Sequence, residues 1–496
     1  MADVVQSAPA GADPNRWRML AVIAIAQLMI ILDGSIVNVA LPHIQEALGI
    51  SDADKQWVVT AYILAFGSLL LLGGRIADYW GRKRAFIVGL IGFAGASALG
   101  GLAQSQGQIF AARGLQGMFA ALLAPAALSL VTVTFTEPKE RAKAFGVFGA
   151  LSGAGAAIGL ILGGILTDGP GWRWVMWVNV PIAIITAILA VVIVHESKAA
   201  GHPHFDIPGA ALATLGLFSL VYGLSRVSSA QHGWADPWVI TTLILGAILL
   251  VSFVLFERRT DHPLLPMRIP ADRVRGGSYL TFLMVGAGLT AMFLFLSYYM
   301  QVVLHYSALK TGVHFLPFSI GIILTAGIVA RVLPKVGPRP LMIIGLIVAA
   351  FGMILLLRTT PEDQYWTHVF PSLVIIPVGM AFVFIPTSST ALIGVAPRDA
   401  GVASALLNTS QQIGGSVGLA LLSTLALAAQ TSSIAELGTQ ANGQPFPESL
   451  VAGFHVGYLW GAILLLLGAL IAFMLVRVKK HEYHADASDE APAMAI

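Results

Sequence analysis

A single aspartate lies inside the first apolar segment of the chain, in the stretch LMIILDGSIVNVALPH. From Met19 to Leu41 the sequence runs 23 residues, and Asp33 is their only charged side chain. A helix of that length is about 35 Å long, which is enough to cross a hydrocarbon core of about 30 Å. A charge at mid-membrane costs at least about 2.5 kcal/mol, so carboxylates in such positions are usually functional. Asp33 is therefore the first candidate for proton or cation chemistry.

An arginine in the fourth apolar segment is the only base that we place well within a span. Helices 1 and 4 run in opposite directions, so Asp33 and Arg113 lie about 12 Å and about 8 Å from the same membrane surface at 1.5 Å per residue. Charges in a membrane pair with one another or face a water-filled cavity. The matched depth permits a contact but does not show one. Two interpretations remain open, a carboxyl that exchanges a proton beside an arginine and a fixed ion pair that holds helices together.

The composition predicts that these two charges are carried by membrane helices. Of the 496 residues 57% are hydrophobic and 11% are charged, whereas soluble proteins carry about 25% charged residues. Backbone within a bilayer must satisfy its own hydrogen bonds, which predicts an all-α integral membrane fold. Apolar runs predict fourteen transmembrane helices, near 17–41, 56–73, 85–103, 108–133, 143–167, 174–194, 207–226, 238–256, 277–303, 312–332, 340–358, 368–391, 401–429 and 454–477.

The basic residues indicate the orientation of these helices. If the N-terminus is cytoplasmic, 22 of the 28 Lys and Arg fall in cytoplasmic segments and five fall outside, while Arg113 lies in a span. The positive-inside rule therefore predicts that both termini are cytoplasmic. This placement accounts for the net charge of +3 without a nucleic-acid partner.

Loop lengths divide the predicted helices into groups of six, two and six. A faint repeat supports a duplication, because GRIADYWGRKR follows helix 2 and ARVLPKVGPRP follows helix 10, each with a small residue and a glycine seven apart. Internal repeats are how many transporters are built. We predict a cytoplasmic segment 1–16, a six-helix bundle 17–194, loops with an inserted helix pair 195–276, a second six-helix bundle 277–477 and a disordered cytoplasmic tail 478–496.

Neutral polar and aromatic side chains recur in the apolar segments. Apolar pockets with a few polar groups suit amphipathic organic molecules, and aromatic faces suit cations. Hydrogen bonding between helices is the alternative use of the same residues. The candidates for lining a substrate cavity are Gln27, Asn38, Tyr62, Gln116, Tyr298, Gln301, Asn408, Gln411 and Gln412.

Signals for other chemistry are missing from the sequence. There is no cysteine, no phosphate-binding loop and no zinc helix motif. The histidines at 195, 202 and 204 lie in an acid-poor loop, which favours solvated side chains over a metal site. We expect no metal and no cofactor, with protons as the coupling ion, and a monomer in the lipid bilayer.

Five stretches together resemble the major facilitator superfamily, and in particular its fourteen-helix drug:proton antiporter branch. GRIADYWGRK is similar to the superfamily's loop motif G-x-L-x-D-x-x-G-R-K, and RGLQGMFAA resembles its helix 4 motif. LDGSIVNVALPHI, WRWVMWVNVP and LNTSQQIGGSVG are similar to the branch's helices 1, 6 and 13. The order and spacing of these stretches match the superfamily over most of the chain.

The resemblance implies roles for the matching residues. Asp33 would be the proton-coupling carboxylate, and Arg113 would tune or relay its proton. A cytoplasmic latch between the two bundles would be formed by Gly74, Asp78, Gly81, Arg82 and Lys83.

The fifth predicted helix departs from the pattern of that branch. The motif G-P-x-x-G-G reads GLILGG here, so Gly159, Gly163 and Gly164 are retained and Leu160 replaces the proline. Small residues still allow close helix packing, whereas the proline kink is lost. If the kink were required for antiport, the resemblance would no longer imply the direction of coupling.

These observations predict a proton-coupled exporter of amphipathic, cationic organic compounds in a bacterial cell membrane, that is, a multidrug efflux pump. Two alternatives remain open. One is an exporter of narrow specificity for a metabolite or a self-made antibiotic, and the other is a multi-pass membrane enzyme.

Overall fold

A computed structural model gives the fold of residues 15–52, 54–135, 140, 144, 155, 158–198, 206–227, 233–260, 263–362, 364–395, 400–439 and 446–477. Within these ranges twelve helices are long and apolar enough to cross a membrane. A thirteenth is obtained when the segments Trp57–Leu70 and Leu72–Trp80, which meet at 53°, count as one bent span. The all-α membrane fold is as predicted, and the count of fourteen spans stays a prediction.

We label the main helices α1 to α14 in chain order. They are α1 Arg16–Leu48, α2 Trp57–Trp80, α3 Arg82–Gly101, α4 Gln106–Thr134, α5 Ile158–Asp168, α6 Arg173–Ile193, α7 Ile207–Arg226, α8 Pro237–Glu257, α9 Arg273–Val303, α10 Leu316–Val336, α11 Pro338–Leu355, α12 Phe370–Leu392, α13 Ala400–Leu437 and α14 Pro447–Leu475. A short helix, Ala308–His314, precedes α10.

Several helices extend beyond the predicted bounds. Helix α1 ends at Leu48 instead of residue 41, and α13 ends at Leu437 instead of residue 429. Both extensions contain polar residues, because a helix continues past the hydrocarbon core for as long as its backbone bonds are favourable. The start of the predicted span 143–167 and most of the predicted terminal segments, 1–16 and 478–496, lie outside the described residues, as do the histidines at 202 and 204.

Helices α1–α6 pack together and are called the N-terminal bundle, and α9–α14 form the C-terminal bundle. One apolar core lies within the N-terminal bundle, and a larger one fills the C-terminal bundle and continues into the N-terminal bundle, where it includes Ile36 and Leu41 of α1. Helices α7 and α8 pack against each other, and α7 also lies against α2 and α13, where Leu217 and Val221 contact Leu64. The inserted pair therefore touches both bundles along one side.

Two glycines at corresponding places in the bundles make the same sharp connection. Gly81 alone joins α2 to α3 with a φ of 127°, and Gly337 alone joins α10 to α11 with a φ of 85°. Positive φ is readily adopted by glycine and costs other residues energy. The faint repeat in the sequence therefore corresponds to a shared backbone turn.

Glycines of α5 let helices approach closely, both within the N-terminal bundle and between the two bundles. A Cβ at Gly159 or Gly163 would press on α1, and a Cβ at Gly164 would overlap the backbone of Leu309 in the C-terminal bundle. Leu160 is buried, and its carbonyl lies against Gly312. The close packing expected of the helix 5 motif is present with leucine at the proline position.

We expect Gly164→Ala to destabilise the protein by about 1–3 kcal/mol, because the added methyl group overpacks the contact with Leu309. The matched control is Gly95→Ala, a helical glycine whose Cβ would meet no atom within 4 Å. Both changes raise helix propensity equally, so the difference between them isolates the packing term. Thermal unfolding of the purified proteins measures it, and equal midpoints would contradict the close approach.

Candidate functional site

Asp33 and Arg113 form an ion pair in the interior of the N-terminal bundle. Arg113 Nη1 donates to Asp33 Oδ2 at 2.7 Å, and the two side chains are 1% or less exposed. The pair joins α1 to α4. Because opposite charges in a dry interior attract strongly, each side chain offsets the cost of burying the other.

Three further side chains complete a polar cluster around this pair. Gln116 Nε2 and Asn179 Nδ2 each donate to Asp33 Oδ1 at 2.8 Å. Both amides also donate to Ser97 Oγ, at 2.7 and 3.1 Å. The cluster therefore links α1, α3, α4 and α6, and three donors converge on a carboxylate that can only accept while it is ionised.

Arg113 is held by more than its ion pair. Its Nε donates to the carbonyl of Val58 on α2 at 3.0 Å, and Nη1 also reaches Gln116 Oε1 at 2.8 Å. The guanidinium lies 4.4 Å from the centre of the Tyr62 ring, which favours the cation. Binding a proton at Asp33 would remove the negative partner and leave these contacts to hold the arginine.

Asn179 and Ser97 were not identified as site residues from the sequence. The stretch WRWVMWVNVP contains Asn179, but a neutral amide in an apolar helix does not reveal its partner. Pro181 is the one sequence signal near Asn179. A proline has no N–H to donate to the carbonyl of Trp177, and α6 is interrupted at Val178, directly before Asn179.

Five of the nine cavity candidates are accessible in this conformation. On α1, Gln27 and Asn38 share a face with Gly34, which is exposed and has open space where a Cβ would be. Asn408 is exposed on α13, and Gln411 and Gln412 are half-buried there. These residues remain candidates for contact with a substrate.

The other four candidates are buried in contacts and do not line an open space here. Tyr62 and Gln116 belong to the surroundings of Asp33, as described above. Tyr298 Oη donates to Gln45 Oε1 at 2.6 Å, and Gln301 Nε2 donates to the Val39 carbonyl at 2.9 Å. The last two residues thus connect α9 to α1 instead of facing a cavity.

The bundles are joined on the side of the molecule that carries the α1–α2 loop, called here the α1–α2 side. Besides Tyr298 and Gln301, Ser297 Oγ donates to the carbonyl of Asn38 at 2.8 Å. Asp168, at the end of α5, accepts from the backbone N–H groups of Ala308 and Leu309 at 3.0 and 2.8 Å. These contacts close the interface between the bundles at this side.

A surface ion pair supports the same closure. Lys55 Nζ lies 2.9 Å from Asp52 and 4.2 Å from the centre of the Tyr298 ring. Burial alone would raise the pKa of Asp52, but the charge of Lys55 and hydrogen bonds from Lys55 and Gln45 outweigh it and lower the pKa. Asp52 therefore stays ionised near neutral pH and keeps Lys55 over the ring.

The loop motif GRIADYWGRK, residues 74–83, lies where α2 meets α3 and makes its described contacts mainly within the N-terminal bundle. Arg82 pairs with Asp78 at 2.8 Å, while Lys83 N and Arg84 contact the carboxylate of Glu196, just after α6. A Cβ at Gly81 would collide with the same carboxylate, and Gly74 packs on Pro125 of α4. Arg75 reaches outside the bundle, donating to the carbonyl of Pro263 at 2.9 Å. Among the described residues, the charged side chains of the motif make no hydrogen bond or ion pair with α9–α14, and the latch between the bundles stays a prediction.

Comparison with known proteins gives a family match over most of the chain. A sequence profile described as "Major Facilitator Superfamily" matches residues 23–419. The "Puromycin resistance protein pur8" of Streptomyces alboniger is 45% identical over 496 residues, covering 99% of this chain and 97% of that protein. The "Cephamycin export protein CmcT" of Amycolatopsis lactamdurans is 38% identical over 421 residues, covering 84% and 86%. The "Multidrug resistance protein Stp" of Mycobacterium tuberculosis is 31% identical over 424 residues, covering 85% and 78%.

Solved structures share the fold at low sequence identity. A bacterial homolog of the human lysosomal transporter Spinster, in an inward-facing and unoccupied conformation, superimposes with a TM-score of 0.65 at 16% identity. That match covers 97% of this chain and all of the other. It bears on the fold alone.

We expect Arg113→Met to destabilise the protein by about 3–5 kcal/mol, because it leaves the Asp33 carboxylate buried without its charge partner. Adding Asp33→Asn to this variant removes the unpaired charge and should restore part of the lost stability. Thermal unfolding of both single variants and the double variant forms a double-mutant cycle. Strictly additive losses would mean that the two residues are not coupled.

A second expectation concerns closure of the α1–α2 side. The chain has no cysteine, so Asn38→Cys places a single thiol beside the interface. Asp168→Ala removes two hydrogen bonds between the bundles, and we expect it to increase labelling of that thiol several-fold by a membrane-impermeant maleimide added from this side. The control is Asp236→Ala. Asp236 also accepts hydrogen bonds from two backbone N–H groups, those of Trp238 and Val239, but both belong to α8 and not to the interface. If both variants label alike, Asp168 does not hold the interface.

Proposed function

The chain belongs to the Major Facilitator Superfamily, and we propose that it is a proton-coupled antiporter that exports amphipathic organic compounds, cationic ones among them. It is a multi-pass membrane transporter and not an enzyme, which removes the membrane-enzyme alternative. The relatives named for antibiotic resistance and export support efflux of a drug or a self-made antibiotic.

The proposal includes an orientation and a location. We place the protein in a bacterial cell membrane as a monomer with fourteen spans and both termini in the cytoplasm, as the distribution of Lys and Arg predicts. The α1–α2 side then faces outward. The conformation described here is closed on that side.

The observation that carries the proposal is the buried carboxylate of Asp33. Within the described parts of the spans it is paired with Arg113 and surrounded by neutral amides, and it is fully buried. Such intramembrane carboxylates mark proton relays in transporters. No metal or other cofactor is needed for this chemistry, and the proton is the coupling ion.

The proposed cycle alternates the protonation of Asp33 with the binding of substrate. After the outer side opens, a proton from outside reaches Asp33 and neutralises it, which weakens its attraction to Arg113 and to a bound cation. Substrate leaves outward, the bundles rock, and the proton is released inside. Asp33 lies behind the accessible face of α1, so the protonation state acts on the substrate through α1 and α4 instead of by direct contact.

The driving force limits what the cycle can do. One proton moving through 100 mV releases about 2.3 kcal/mol, and a tenfold proton gradient adds about 1.4 kcal/mol. Together these supply about 3.7 kcal/mol per proton, enough for an accumulation ratio of several hundred for a neutral substrate.

The deciding experiment uses purified protein in liposomes that contain a pH-sensitive dye. We expect puromycin, chosen because of the similar resistance protein, to cause proton movement with wild type. Asp33→Asn should abolish this movement while the protein still folds. The matched control is Glu448→Gln, which removes an exposed carboxylate from the start of α14 and should leave transport intact.

The other outcomes separate the remaining alternatives. Proton movement with a single compound out of a varied panel would favour an exporter of narrow specificity. Movement with neutral as well as cationic amphipathic compounds would show that positive charge is not required. Normal transport by Asp33→Asn would overturn the coupling mechanism.

A further inference from the structure

The side-chain amide of Asn179 is only half used in the polar cluster. Its Nδ2 donates to Asp33 and to Ser97, but its Oδ1 is buried and accepts no hydrogen bond from the described residues. A buried acceptor without a donor is destabilising and is uncommon in native proteins. Asn179 is fully buried, so the unpaired oxygen does not face bulk water.

The hydrogen bonds around Asp33 suit only one of its protonation states. Asp33 Oδ2 accepts from Arg113, and Oδ1 accepts from the amides of Gln116 and Asn179. When a proton adds at Oδ1, the new hydroxyl group must donate, yet the groups nearest to that oxygen are themselves donors. The protonated form therefore needs an acceptor that the present arrangement turns away.

We propose that the side-chain amide of Asn179 turns over when Asp33 binds a proton, so that its Oδ1 accepts a hydrogen bond from the protonated carboxyl. The turn exchanges Nδ2 and Oδ1. It brings Oδ1 to the carboxyl group and moves Nδ2 to the position that Oδ1 leaves, and Ser97 Oγ can donate its own hydrogen to Oδ1. The proton resides on Asp33 Oδ1 and leaves from there, so Asn179 is a positioning residue. This inference rests on the proposed role of Asp33.

Among the described side chains that donate to Asp33, Asn179 is the one with an unused acceptor. Besides Asp33 on α1, the titratable groups at the cluster are Arg113 on α4 and Tyr62 on α2, and α3 and α6 contribute the neutral Ser97 and Asn179. Arg113 has no acceptor to offer. The side-chain oxygen of Gln116 already accepts from Arg113, and its nitrogen already donates to Asp33 and Ser97.

The position of Asn179 in α6 connects the switch to the backbone. The residue begins the second part of α6, directly after the interruption at Val178 that Pro181 favours. A change in its hydrogen bonds to α1 and α3 therefore acts at a joint in the helix. Protonation of Asp33 would in this way alter how α6 is fixed to α1.

Infrared difference spectroscopy between high and low pH tests the inference on the purified full-length protein in lipid nanodiscs. The carbonyl band of a protonated carboxyl group moves to lower frequency when its hydroxyl donates a hydrogen bond. The band of Asp33 is identified by its loss in Asp33→Asn. In Asn179→Leu, which keeps the volume without donor or acceptor, we expect this band at higher frequency. The control Thr186→Val removes a buried hydroxyl of α6 that bonds only within its helix, and the band should stay in place.

Each outcome bears on one proposal. An Asp33 band that is unmoved in Asn179→Leu overturns the switch but leaves proton binding at Asp33. Absence of any Asp33 band at low pH contradicts the proposed function itself. If the leucine variant does not fold, Asn179→Asp replaces it: a second carboxylate offers acceptors, so the titration midpoint of the Asp33 band should rise by about one pH unit or more. An unchanged midpoint would also overturn the switch.

Discussion

A carboxylate inside a bilayer requires neighbours that offset its charge, and the N-terminal bundle is arranged around that requirement. Asp33 of α1 is neutralised by Arg113 of α4, which in turn needs the Val58 carbonyl of α2. The side-chain amide of Asn179, on α6, donates a hydrogen bond to the same carboxylate. One buried charge thus fixes the relative positions of four helices, because removing any partner would leave a polar group unsatisfied in a dry interior. Neutralising the same charge is what can release them.

The sequence predicted the part of this site that follows from charge and depth. Rare charges in apolar helices are conspicuous, and the 1.5 Å rise places Asp33 and Arg113 at one level. Ser97 and Asn179 could not be assigned in this way, since neutral polar residues are common in membrane helices and reveal no partner. Tyr298 and Gln301 were predicted to line a cavity, yet they join α9 to α1 here. A residue at a moving interface can do both, in different conformations.

The loop motif between α2 and α3 was recognised in the sequence, but the residue that its basic side chains contact was not. Gly81 and its basic neighbours are readily recognised, and the turn with positive φ follows from glycine. The partner was not predictable, because Glu196 lies 113 residues after Lys83 in a segment without a motif. In this conformation Asp78, Arg82 and Arg84 form their ion pairs within the N-terminal bundle. The two bundles are therefore free to separate on the opposite side without breaking those ion pairs.

The side-chain hydrogen bonds that α9 makes on the α1–α2 side are individually weak compared with a buried ion pair. Ser297, Tyr298 and Gln301 join the bundles through neutral hydrogen bonds, each with a net stabilisation of about 0.5–1.5 kcal/mol. Reversing a two-state equilibrium from 1:99 to 99:1 takes about 5.5 kcal/mol, which exceeds the roughly 3.7 kcal/mol available per proton. An interface closed by buried ion pairs would be harder still to open. The buried pair of Asp33 and Arg113 is instead confined within the N-terminal bundle, where protonation changes it. The interface that must open is held by neutral hydrogen bonds, by the two backbone hydrogen bonds to Asp168 and by apolar packing.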